Sequence, residues 1–119
     1  MRTITAIALS GLAFAGSAAA ETRISDVDFI KASRCKGLAA SPVGAGVDTA
    51  QLDALLKSQG QTRPELILQK ADEAAARAKR QARSADAQSR LSAELTGACA
   101  AYLGGGSAVA SGQRTPPAS

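Results

Sequence analysis

PELILQKADEAAARAKRQARSADAQSRLSAELTGACAA, residues 64–101, decides the fold. Its one proline opens it and its one glycine, Gly97, lies near its end. Between them Ala, Arg, Lys, Gln and Glu dominate, all strong helix formers. Leu68, Ala71, Ala75, Ala78, Ala82 and Ala85, then Ser89 and Ser92, recur at the three-to-four spacing of a helix face. Glu73 and Arg77, and Asp86 and Arg90, stand four residues apart in the favourable order. As one unbroken helix, this stretch would be a rod of roughly 60 Å.

Two cysteines argue against a straight rod. Cys35 and Cys99 are the only ones in the chain, and in an oxidising compartment they are expected to pair with each other, the alternatives being two free buried thiols or an intermolecular bridge. Cys99 would stand roughly 54 Å beyond the start of the rod. Residues 36–62 would then have to cross that gap almost fully stretched, although they include a helix. A break near Ser84–Ser89 resolves this, since Ser84, Asp86 and Ser89 are all N-cap residue types. A fourth helix over about 89–103 would carry Leu91, Leu95, Cys99 and Tyr102 on one face. The expectation is an all-α fold, a small bundle of three to four helices with four favoured, closed by a Cys35–Cys99 disulfide. Gly37 and Gly97 lie two residues from the cysteines, where small side chains let helices approach.

Upstream, local chemistry marks three helix starts. Ser25 with Asp28 reads as a capping box, and Ile24 with Phe29 as a hydrophobic staple. This first helix is expected from Asp26 to about Lys36, with Gly37 ending it. Val27, Ile30, Arg34/Cys35 and Leu38 are its expected apolar stripe. Ser41–Gly46 holds a proline and two glycines and reads as a loop. Asp48 with Gln51 is the expected cap of a second helix, which carries Leu52, Leu55 and Leu56 and ends at Gly60. Thr62 with Glu65 is the expected cap of the third, with Pro64 in its first turn.

The ends of the chain read differently. Arg2 precedes an apolar run from Ile4 to Phe14, and Ala18 and Ala20 supply the small residues of a cleavage site. This is the pattern of a secretory signal peptide over 1–20. Its run is too short for a membrane span. Cleavage after Ala20 would leave 99 residues, with the helical domain over 21–103. Loss of Arg2 lowers the net charge from +4 to +3. Residues 104–119, rich in Gly, Ser and Pro, read as a disordered tail. The mature protein is expected to be soluble and periplasmic or secreted, with a bacterial cast to its Ala- and Arg-rich composition.

The chemistry is sparse. The chain has no histidine, the commonest general base and metal ligand. Paired cysteines leave no thiol nucleophile. Asp26/Asp28 and Asp72/Glu73 are explained by a helix first turn and a solvated face. Gly44-Ala45-Gly46 follows no strand, so it does not make a nucleotide-binding loop. Neither an enzyme, a cofactor, a metal site nor specific nucleic-acid binding is expected. The densest charge feature is Arg77, Lys79, Arg80, Arg83 and Arg90, the candidate residues for contact with an anionic surface. A solvated helix face is the plainer account of them.

The plan (exported, short, helical, one disulfide) resembles the small periplasmic acid-stress chaperones of enteric bacteria. The resemblance is of plan and not of motif; cysteine spacing and aromatic content differ, and no residue is carried over. The expected function is that of a non-catalytic protein acting by protein–protein contact in envelope stress, and the core is what motivates it. The large apolar residues are few and alanine fills much of the remainder, so the core would be thin and able to open reversibly.

Overall fold

The computed structural model describes residues 23–104 and is all helical there. The signal peptide over 1–20 and nearly all of the 104–119 tail lie outside the described residues. The helices are α1 (Asp26–Ala39), α2 (Ala50–Gly60), α3 (Glu65–Gln81), α4 (Ala85–Thr96) and the single turn α5 (Ala100–Leu103), with a 3-10 turn over Pro42–Gly44. No helix among the described residues is long and apolar enough to cross a membrane.

α1 is the central element. The side chains of Phe29, Ala32, Ser33, Cys35 and Leu38, together with Gly37, are all buried, and these positions point around most of the helix circumference. The expected stripe holds at Cys35 and Leu38 and fails at Val27, because it assumed one buried face. Val27 is 60% exposed, whereas Phe29 and Ala32 fall in the core. Ser25 caps the helix as read: its Oγ accepts from the Asp28 N–H at 3.1 Å and donates to Asp28 Oδ2 at 2.9 Å. Ile24 and Phe29 are both buried, consistent with the expected staple.

Gly37 does not end α1, which continues to Ala39. It is instead where α1 meets α3 backbone to backbone. A Cβ on Gly37 would stand 2.8 Å from Ala75 Cα, closer than real Cβ contacts come. The small residue serves the α1–α3 crossing and not the approach of the cysteine-bearing segments. Residues before α3 meet the start of α1, and Ala75 meets its later part, so α1 and α3 run in the same direction.

The second and third helices start without the expected caps. α2 begins at Ala50 after Thr49. Asp48 still bonds locally, its Oδ1 accepting from the Ala50 N–H at 3.0 Å, while the Thr49 hydroxyl donates to Asp53 Oδ2 at 3.1 Å. α3 begins at Glu65 after Pro64, whose extended backbone (φ −60°, ψ 149°) sets the entry angle. Thr62 is engaged elsewhere, accepting from Arg23 Nη1 at 3.1 Å.

The rod does break. α3 ends at Gln81, and Ser84 turns extended (ψ 123°) before α4 begins at Ala85. The expected fourth helix therefore starts four residues earlier than read. The alanine face explains the position. Ala71, Ala78 and Ala82 are buried, whereas Ala85, Ser89 and Ser92 are exposed, so the stripe stops where α3 stops. The Gln88 amide donates to the Ala82 carbonyl at 3.4 Å across the turn. A second break over Gly97–Cys99 separates α4 from α5. Leu91, Leu95, Cys99 and Tyr102 are all buried, as the spacing required. Cys35 and Cys99 are bonded, with their Cα atoms 5.6 Å apart across 64 residues of sequence.

Candidate functional site

Four ties join α1 and its flank to the remaining elements, and each uses one carboxylate. Toward α4, Arg34 donates from Nε and Nη2 to the two oxygens of Glu94, at 2.7 and 2.9 Å. Its Nη1 donates to Gln81 Oε1 of α3 at 2.9 Å, so one guanidinium spans three helices. Toward α2, Lys36 Nζ lies 2.8 Å from Asp53 Oδ1. Toward α5, the Tyr102 hydroxyl donates to Asp28 Oδ1 at 2.8 Å. Toward the α2–α3 turn, Arg63 Nη1 donates to Asp26 Oδ1 at 2.5 Å.

The ties shift the groups that form them. The hydrogen bonds from Arg34 hold the Glu94 carboxyl below the usual range, more than its partial burial raises it. The Lys36 ammonium does the same for Asp53, helped by Thr49. The Tyr102 phenol is pushed up, first by burial and then by the Asp28 carboxylate. It stays a neutral donor throughout the neutral range.

Arg63 is the most enclosed charge. Its side chain is fully buried, whereas its partner Asp26 is 48% exposed. It donates to the Ile24 carbonyl at 2.6 Å, the Gln59 carbonyl at 3.0 Å and Gln59 Oε1 at 3.3 Å. Its guanidinium carbon lies 4.9 Å from the centre of the Phe29 ring, within cation–π range. Gln59 Oε1 also accepts the Ile24 N–H at 3.1 Å. A charge between two helices, just before a proline, reads in sequence as loop polarity; nothing local marks it as a buried clamp.

α2 and α3 each pack on α1 and leave a cleft of about 460 Å³ between them. Its floor is one stripe of α1, from Phe29 through Ser33 and Gly37 to Ala40. Leu56 lines one wall, and Leu68, Ala71 and Ala75 the other. Lys36, Asp53, Lys57, Asp72 and Lys79 supply its charges.

The candidate cations Arg77, Lys79, Arg80, Arg83 and Arg90 are all exposed. They do not share one face. Arg77 and Arg80 lie one turn apart, while Lys79 is turned about 200° from Arg77 and lines the cleft. Arg83 sits in the α3–α4 turn and Arg90 on α4. The ion pairs among the described residues are Arg34–Glu94, Lys36–Asp53 and Arg63–Asp26, so the spaced Glu73/Arg77 and Asp86/Arg90 do not close. Among the described residues no three His, Cys, Asp or Glu side chains are gathered to hold a metal ion. The two sulfurs of Cys35 and Cys99 are committed to each other.

Compared with protein families, curated proteins and solved structures, the chain matches none.

Proposed function

We propose that this is an exported, non-catalytic protein that acts by protein–protein contact, with its contact surface uncovered by acid. The observation that carries the reading is that the four ties binding α1 and its flank to the other elements each end on a carboxylate. A proton on that carboxylate removes the charge from the tie.

The sign follows from the lowered groups. Glu94 and Asp53 sit below their ordinary values, so their stabilisation is fully present above the usual carboxylate range of about 4. It is lost as pH falls through their lowered folded values. Loosening therefore belongs to strong acid and not to mild acidification. α1 would then rest on a thin apolar core and the Cys35–Cys99 bond. Loosening it exposes Leu52 and Leu55 of α2 and Leu91 and Leu95 of α4, all buried in the closed bundle. An oxidising compartment suits the disulfide.

The expected result is that the oxidised protein suppresses the light scattering of a client enzyme that aggregates at about pH 3, and leaves a heat-aggregating client unprotected at pH 7. No suppression at acid pH contradicts the proposal.

The exposure of Arg77, Arg80, Arg83 and Arg90, with no ion pair to any of them among the described residues, supports a second reading, contact with anionic envelope surfaces. Its expected result is co-sedimentation with phosphatidylglycerol vesicles, lost when Arg77, Arg80 and Arg83 are changed to Gln. Equal binding by that variant removes the cluster from the account.

A further inference from the structure

The cleft between α2 and α3 has a direction. α1 and α3 run parallel, so Phe29 and Leu68 lie near one end and Ala40 and Lys79 near the other. At the first end Gly60 stands beside both residues: a Cβ there would meet the Phe29 ring at 3.4 Å and Leu68 Cδ2 at 3.8 Å. The residues lining the cleft at that end, Phe29 and Leu68, are apolar. At the other end stand Lys36 and Lys79, with Asp53 paired to Lys36. Lys57 and Asp72 lie along the walls. Neither Lys57 nor Lys79 has an ion-pair partner among the described residues.

The floor from Phe29 to Ala40 runs about 16 Å at the helical rise. A cleft of about 460 Å³ falls within the range of small-molecule sites. A slot with apolar lining at one end and excess positive charge at the other complements one kind of molecule, an apolar chain with an anionic head. We propose that this cleft binds a single-chain fatty carboxylate, with its tail against Phe29 and Leu68 and its head beside Lys79. Lys79 supplies attraction at the head, and Asp72 on the same wall opposes it. The site belongs to the closed bundle at neutral pH, so it stands or falls separately from acid opening.

The test is titration of the oxidised protein at pH 7 with dodecanoate below its micelle concentration, followed by amide chemical shifts. Saturable shifts confined to residues 29–40, 53–57 and 68–79 are expected. Dodecanol and dodecyltrimethylammonium should bind more weakly than dodecanoate. Lys79→Gln should weaken dodecanoate binding roughly threefold, and Asp72→Asn should tighten it by a similar factor, the scale of an exposed charge pair. Both side chains are exposed, so both variants should fold; unchanged amide spectra without ligand verify this. Absence of saturation, shifts centred on Arg80, Arg83 and Arg90, equal binding of the cationic amphiphile, or indifference to both variants overturns the proposal. Tighter binding of a lysophosphatidylglycerol than of dodecanoate overturns the assignment to a carboxylate.

Discussion

Replacing Arg63 with methionine is expected to lower the unfolding free energy by about 3 kcal/mol, the scale for leaving two buried carbonyl acceptors without their donor. The side chain is fully buried and serves four acceptors on three residues, besides lying over Phe29. Methionine fills much of the volume but leaves the carbonyls of Ile24 and Gln59 without that donor. Residues 23–25 would then lose their main anchor to the α2–α3 turn. Asp26→Asn should cost less, because Asp26 is half exposed and water can replace its partner. In a domain of this size 3 kcal/mol corresponds to a fall in Tm of roughly 12–24 °C. Thermal unfolding by circular dichroism checks both variants. An Arg63→Met protein as stable as the parent would show that the clamp is not structural.

The second large effect concerns the disulfide. Changing Cys35 and Cys99 together to Ser should lower stability by about 4 kcal/mol, the chain-entropy scale for closing a 64-residue loop. The described domain of about 80 residues has on the order of 4–12 kcal/mol in total by size. That leaves the variant on the order of 0–8 kcal/mol, so it should melt well below the parent at neutral pH. In acid, where the ties of Glu94 and Asp53 are also lost, it should be unfolded and not merely loosened. Urea denaturation of parent and variant, followed by tyrosine fluorescence and circular dichroism, measures the difference. A difference below about 1 kcal/mol would mean that the apolar contacts of α1 alone hold the bundle.

The two cysteines made the topology legible from the sequence. Their pairing requires the segment after Pro64 to fold back, and it does, through the turns at Ala82–Ser84 and Gly97–Cys99. Ser25 was legible as a cap because its partner stands three residues away. The position of the break was not legible, because Ser84, Asp86 and Ser89 are equally good caps. Burial of Ala82 selects among them, and burial is a property of the whole fold. Gly37 followed the same logic. A glycine near the end of a predicted helix has a local explanation, while its contact with Ala75 spans 38 residues of sequence. Periodicity misjudged α1 because it detects one apolar face, and α1 is enclosed on most sides. Of the candidate site, only the exposure of the basic residues and the bonded cysteines were legible. The residues that bind α1 to its neighbours are ordinary charges in sequence, and nothing local to Arg34, Glu94 or Arg63 marks it as a tie. They gain their meaning from partners 37 to 60 residues away.

On the proposed reading, carboxylate ties hold α1 in place and strong acid releases it while the disulfide keeps the chain joined. Amide hydrogen exchange of the oxidised protein, compared at pH 7 and pH 3 after correction for intrinsic rates, tests it most directly. A large loss of protection at pH 3 in α1, α2 and α4, regained on return to pH 7, is expected. Protection of these helices at pH 3 equal to that at pH 7 would contradict it.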